Sequence, residues 1–348
     1  MSKRILLTVF TAVITSFFAF SQHQEHAEAQ KATGHENHES EEKFDISGMI
    51  MHHISDEHGW EFAHGLKLPL PVILYTHDSG LEIFSSSRLD HGQVYNGWKN
   101  EHEHIVKVNA DGTVNEAIHP WDFSITKNVA SLFLSAVLLI LIFTAVKKGY
   151  DKNKGKAPSG IQSFLEPVIL YMRDDVVKPA IGKNYEKYFP YLLTLFFFIL
   201  INNLLGLLPG GANLTGNIAI TMTMAVITFL IVNLNGNKYY WKHVFMPDTP
   251  KLMWIILIPV EIVGVFMKPL SLMIRLFANI TAGHIIMLSL FGLIFIFQNW
   301  AVSPVVAGFA LFMNLIELLV AFLQALIFTL LTSMYIGSAI EDHSHDHH

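Results

Sequence analysis

The chain has 348 residues, 51% of them hydrophobic and 15% charged, with a formal net charge of −6 and a mean hydropathy of +0.39. It is too apolar for an average soluble protein and fits a polytopic helical membrane protein. The absence of cysteine excludes a disulfide framework and thiolate metal sites, and no basic face of soluble character points to nucleic acid.

At the N-terminus, Lys3 and Arg4 precede an apolar run over residues 5–20, with the small residues Ala19 and Ser21 at its end. Residues 1–21 read as a secretory signal peptide, with an uncleaved anchor as the alternative, and the segment that follows is exported. Residues 22–43 are Gln, His, Glu, Ala and Lys with almost no large apolar side chains, a disordered composition. Residues 44–122 change character. The runs 68–75 and 81–84 flank His77-Asp78-Ser79-Gly80, and Ile105-Val106-Lys107-Val108 leads into Asn109-Ala110-Asp111-Gly112. Asp-Gly is a hairpin signal, so the segment is expected to be a small β-rich extracytoplasmic domain.

The membrane part is expected over residues 123–340. Residues 129–146 form an apolar helix that ends at Lys147-Lys148, with Lys152, Lys154 and Lys156 close behind, so this loop is cytoplasmic by the positive-inside rule. Residues 164–181 mix apolar side chains with Glu166, Arg173, Asp174, Asp175 and Lys178, an amphipathic pattern for an interfacial helix. Residues 190–208 span outward, Pro209-Gly210-Gly211 turns, and 216–234 span inward to a loop with Lys238, Lys242 and Lys251. Two further apolar segments, 252–297 and 303–338, bring the total to five crossings. As helices they are about 69 and 54 Å long, against a hydrocarbon core of about 30 Å. They must therefore be broken, with Pro259, Pro269 and Gly283 as kink sites, or lie tilted as a long hairpin. The His-rich tail 341–348 is cytoplasmic in this arrangement.

Between residues 252 and 340 the only Asp, Glu, Lys, Arg or His residues are Glu261, Lys268, Arg275, His284 and Glu317. An arginine at membrane depth costs about 3 kcal/mol on insertion scales, which a chain tolerates where the charge has a partner or a task. Glu261, Lys268 and Arg275 are spaced by seven and share one helical stripe. Asn279 stays near that face, and His284, about 900° on from Arg275, points the other way. On the next helix Asn314, Glu317 and Gln324 share a stripe. His284 and Glu317 together suit proton relay, because histidine titrates near neutral pH and a carboxylate can exchange a proton with it. Plainer roles exist: Glu261 and Lys268 as interface anchors, His284 as a helix–helix hydrogen bonder, Asn314 and Gln324 as polar glue.

Three stretches carry a family resemblance: Lys268-Pro269-Leu270-Ser271-Leu272-Met273-Ile274-Arg275-Leu276-Phe277-Ala278-Asn279 followed by Ala282-Gly283-His284; Leu323-Gln324-Ala325-Leu326-Ile327-Phe328; and Asn202-Asn203-Leu204-Leu205-Gly206-Leu207-Leu208-Pro209. Over residues 123–340 the chain resembles the subunit a family of the rotary F-type ATP synthases. The resemblance implies an all-α polytopic stator subunit for proton translocation in a bacterial plasma membrane. Arg275 would face a rotating ring of c subunits, and His284 with Glu317 would line the outer half-channel, in the order of the mitochondrial type. Ser271 and Asn279 would belong to the cytoplasmic path, with Asn203, Gln324, Glu261 and Lys268 completing the candidate set. Gly206 stands where the family often has an acidic residue. The implied partners are the c ring, the b-subunit peripheral stalk and, indirectly, the F1 catalytic sector. No cofactor is implied, and ATP chemistry falls to other subunits, since the chain has no phosphate-binding loop of Walker type.

Two other readings compete. A secondary transporter or channel also hides charges in its helices, although no inverted repeat is visible. A metal-binding membrane protein would use His23, His26, His35 and His38, or the terminal His343, His345, His347 and His348.

Overall fold

The computed structural model describes residues 56–341 except 64–65, 78–79, 102–103, 110–111, 116–117, 209–210, 248 and 298–302. The chain divides into two units, Met1–Asp45 and Ile46–His348, and everything described belongs to the second. The expected signal peptide, the 22–43 segment, residues 342–348 of the C-terminal tail and the histidine pairs His23/His26 and His35/His38 lie outside the described residues.

Seven short strands precede the helices: β1 Gly59–Ala63, β2 Leu66–Pro69, β3 Pro71–Thr76, β4 Gly80–Ser85, β5 Trp98–Glu101, β6 His104–Lys107 and β7 Trp121–Asp122. They form three antiparallel sheets, β1-β2, β4-β3-β7 and β5-β6. Alternation along β3 sends Val72 and Leu74 into a core with Phe84, Leu89, Trp98 and Ile105. Of the two expected strands around 77–80, the run 68–75 is divided between β2 and β3 and the run 81–84 lies in β4; β3 and β4 pair antiparallel, with Thr76 opposite Gly80. The Asp-Gly signal is realised differently. Val108 and Val114 form a single bridge on either side of it, with Asn109 N donating to the Thr113 carbonyl and Asn115 N to the Lys107 carbonyl, while residues 104–107 pair as a strand with the preceding β5.

This β part is joined to the first long helix through that helix's N-terminus. Helix α1, Lys127–Lys152, begins with backbone donors that have no intrahelical partner. Lys127 N donates to the Glu57 carbonyl at 2.8 Å, Asn128 N to Asp56 Oδ1 at 3.1 Å, and Val129 N to the Thr126 hydroxyl at 3.5 Å. The Asp56 carboxylate also suits the positive end of the helix dipole. Trp60 and Leu70 pack on Ala130 and Ala212, at the start of α1 and in the turn between later helices.

Helix α2, Ile161–Tyr171, continues through a π-helical segment, Met172–Val177, into α3, Lys178–Ile181. It buries Leu165, Met172, Val176, Val177 and Ile181 and leaves Asp174, Asp175 and Lys178 exposed, the amphipathic pattern expected of it. Helix α4, Tyr185–Gly206, leads through a turn to α5, Ile218–Asn235, and α6, Lys238–Phe245. Asn217 and Asn237 cap these last two through side-chain oxygens that accept from Ala219 N and Tyr240 N.

The final pair is α7, Trp254–Phe297, and α8, Ser303–Ile340, of 44 and 38 residues. Both run as single helices. Pro259 and Pro269 lie inside α7 without ending it, so of the two expectations for these segments the broken helix is not the one adopted. A shared core of α1–α5 and α8 with the inward side of α7 includes Leu192, Phe196, Ile199, Leu272, Leu276, Ala325 and Ile336. Five helical stretches are long and apolar enough to cross a membrane: Lys127–Lys152, Ile161–Gly206, Ile218–Asn235, Lys251–Leu290 and Pro304–Ile340. The chain is a multi-pass, predominantly helical membrane protein.

Candidate functional site on the last two helices

Helix α7 has a covered and an open face. Val265, Leu272, Met273, Leu276, Ile280 and Met287 are buried. Val263, Met267, Ser271, Ile274, Arg275, Ala278, Asn279 and Ala282 are exposed. Arg275 is therefore on the uncovered side, and among the described residues it has no ion pair. The small side chains of Ser271, Ala278 and Ala282 keep the surface low around it, which lets another backbone approach closely. Ser271 and Asn279 are brought to the same open face as Arg275.

Glu261 and Lys268 go elsewhere. Glu261 Oε2 lies 3.9 Å from His243 Nδ1 of α6. Lys268 Nζ sits between two rings, 5.9 Å from the centroid of Tyr240 and 5.4 Å from that of Tyr335 on α8, distances suited to cation–π attraction. The Tyr240 hydroxyl donates to Asn233 Oδ1 at 3.2 Å. Burial, and then the negative charge of Glu261, push the Tyr240 hydroxyl up to about 12, so it stays a neutral donor in the physiological range. This station was only half legible in the sequence, because Tyr240, Asn233 and His243 come from other helices. Tyr335 could have been found, since it is eleven residues after Gln324 and returns to the same helical face.

Glu317 and Gln324 are both buried on α8, 8% and 6% exposed. Glu317 lies against α7 at Gly283: a methyl group built on Gly283 would come within 3.0 Å of Glu317 Oε1. The next residue is His284, which belongs to α7; its side chain is outside the described residues. The helix backbone thus brings residue 284 next to the residue that packs on Glu317.

Asn203 is buried and spoken for at both ends. Its Nδ2 donates to the Ala321 carbonyl of α8 at 3.0 Å, and its Oδ1 accepts from the Thr215 hydroxyl at 2.7 Å. It ties α4 to α8 and to the turn before α5. Thr215 and Ala321 escaped the sequence reading because nothing local distinguishes them. Gly206 packs against Asn213 in the same turn.

Along α7, Lys268, Arg275 and His284 follow one another at about 10 and 14 Å of helix rise. Polar groups are thus gathered at two levels, with an uncovered arginine between them.

A family described as ATP synthase A chain matches residues 129–337, and a domain of unknown function (DUF8433) matches residues 49–123. The ATP synthase subunit a of Chloroherpeton thalassium is 44% identical over 252 residues, covering 70% of this chain and 73% of that relative. That of Chlorobium phaeobacteroides strain BS1 is 40% identical over 304 residues, 85% of this chain and 77% of the relative. The subunit a of an Anaeromyxobacter species is 34% identical over 334 residues, 92% and 76%. With more than half its length matched by the family and these relatives spanning most of it, the chain belongs to the ATP synthase subunit a family.

Proposed function

We propose that this chain is the proton-translocating stator subunit of an F-type ATP synthase, with Arg275 as the residue that meets the carboxylates of a rotating c ring. The observation that carries the reading is the position of Arg275: an arginine midway along an apolar helix, on the open face, with no ion pair among the described residues and small side chains beside it. An uncovered charge in an apolar span is costly unless something else supplies the partner.

On this reading a proton from outside reaches a ring carboxylate past His284 and Glu317, with Gln324 alongside. The neutralised carboxylate then turns away through lipid. When it comes round to Arg275, the guanidinium favours its ionised form, and the proton leaves by the cytoplasmic side past Ser271; Asn279, about 6 Å of helix rise beyond Arg275 towards His284, stands on the outer side of the arginine. Glu261 and Lys268, beside Tyr240 and Tyr335, belong to the cytoplasmic end of that path. Arg275 repels protons and blocks a direct passage between the two routes. Each charge that crosses releases about 2.3 kcal/mol per 100 mV. Asn203 supports the assembly of α4 and α8.

The orientation that fits is an exported 44–122 domain and a cytoplasmic C-terminus in a bacterial plasma membrane, with membrane domain 123–340 and an interfacial α2–α3. Its support is the run of Lys147, Lys148, Lys152, Lys154 and Lys156 after α1, with Lys238, Lys242 and Lys251 on the same side. The b-subunit stalk and, indirectly, the F1 sector complete the partners; ATP chemistry lies outside this chain.

The test is ATP-driven pumping and passive proton leak in vesicles carrying the complex with Arg275→Ala, with assembly checked by co-purification. Pumping falls to background in an assembled complex if Arg275 is the transfer arginine. Pumping near the wild-type rate overturns the assignment and favours a transporter or channel.

A further inference from the structure

The three-stranded sheet β4-β3-β7 has two apolar faces, and only one of them is covered. Val72, Leu74 and Phe84 fill the core on one side. On the other, Ile73 stands opposite Ile83, and Tyr75 stands opposite both Leu81 and Trp121. Phe123 continues the row, its backbone N–H donating to the Ile73 carbonyl at 2.9 Å and its ring stacked on Trp121 at 6.5 Å. Five of these six side chains are exposed, Leu81, Ile83, Trp121 and Phe123 by 60–64%. The charged side chains of these strands, Glu82 and Asp122, stand opposite Leu74 and so fall on the covered side. A six-residue apolar face with two adjacent aromatic rings needs an occupant.

Its place in the fold says which. Three residues separate Phe123 from the start of α1 at Lys127, whose exposed side carries Leu132, Phe133 and Val137. Trp60 and Leu70, the latter directly before β3, rest on Ala130 and Ala212 at the ends of the spanning helices. The sheet is therefore held at the level where the helices leave the hydrocarbon, not on a tether away from it. Tryptophan and tyrosine concentrate at that depth because their rings are apolar and their N–H and O–H groups stay wet.

We infer that this sheet face is a membrane-docking surface, lying in the headgroup region of the lipid bilayer beside α1. The occupant is lipid, and the inference rests on α1 being a spanning helix. It gives the β part a fixed seat on the membrane next to the outer ends of α1 and of the α4–α5 turn.

The chain has no cysteine, so each single substitution gives one labelling site within it, and any cysteines of the other subunits are replaced by serine. Ile83→Cys, Trp121→Cys and, as a second sheet position, Leu81→Cys are spin-labelled in the assembled complex in phosphatidylcholine–phosphatidylglycerol vesicles. Val94→Cys is the water-facing reference and Phe133→Cys the lipid-facing one. Co-purification of the complex confirms folding of each variant. The expected result is an oxygen-to-nickel-chelate collision ratio several-fold higher at 81, 83 and 121 than at 94. A ratio equal to that at 94 overturns the proposal. So does shielding from both reagents, which would mean that another protein segment covers the face. An aqueous response at 133 removes the spanning reading of α1, and with it the proposal, whereas Arg275→Ala pumping tests the translocation role separately.

Discussion

At Asn203 both ends of one side-chain amide are committed, to the Ala321 carbonyl and to the Thr215 hydroxyl, in a site that is almost fully buried. Replacing it with leucine leaves at least the Thr215 hydroxyl unsatisfied, a penalty of about 1–3 kcal/mol for a buried polar group. Asn203→Leu is therefore expected to lower the thermal stability of the detergent-solubilised protein, and a melting curve unchanged from wild type would show that the tether is dispensable. Asp122 offers a second residue-scale case, outside the membrane. Burial opposes its ionisation, but the hydrogen bonds with His58 at 3.1 Å and from Ser124 outweigh it, and the carboxyl is held below its usual value of 3.8. A folded-state value below the unfolded one gives stability that is complete above the unfolded value and is lost as pH falls through the depressed one. Asp122→Asn should therefore weaken protection of the β3–β7 amides in hydrogen exchange near pH 7. Its deficit should shrink below pH 3.8, as the wild-type carboxyl takes up its proton. A deficit that is independent of pH would put its origin in packing, not charge.

The long helices were legible as elements because apolar runs of that length have few other solutions. Their partners were not. Tyr240 and Tyr335 flank Lys268 from α6 and α8, and the contact is set by tertiary packing across dozens of residues of chain. Prolines 259 and 269 were readable as kink sites, yet α7 continues through both, since a spanning helix has no water to reward unwinding. In the β part the runs on either side of 77–80 were visible as strand candidates, while β7 is two residues long and carries no period to detect. One contact between elements is unusually close: a methyl group on Gly337 of α8 would collide with the Ala180 carbonyl oxygen of α3. The obstacle is backbone, which cannot swing aside as a side chain can. Gly337→Ala is expected to destabilise the α8–α3 packing by about 1–3 kcal/mol, the usual range for overpacking, read as a drop in melting temperature and in yield of assembled complex. Unchanged stability would mean that the two helices slide apart at little cost.

At the scale of the whole molecule, length and covering tell the same story. Helix α7 has 44 residues and α8 has 38, about 66 and 57 Å, against a hydrocarbon core of about 30 Å. Unbroken helices of that length fit only if they lie strongly tilted, and a tilted pair presents a long flank in the plane of the membrane. That flank is open on α7 around Ser271, Ile274, Arg275 and Asn279, and open on α8 at Leu315, Leu319 and Phe322. Along α7 polar groups lie at two levels with Arg275 between them, and on the proposed reading a passing ring carboxylate takes a proton at one level and releases it at the other. Ile274 and Met273 are chain neighbours on opposite sides of this surface, 48% and 1% exposed. If the flank is the track of the ring, Ile274→Cys forms a disulfide with a cysteine placed beside the ring carboxylate, and Met273→Cys, in the same complex under the same oxidant, does not. Equal cross-linking from the two positions would mean that the ring meets this subunit on some other face, and Arg275 would then need a different partner.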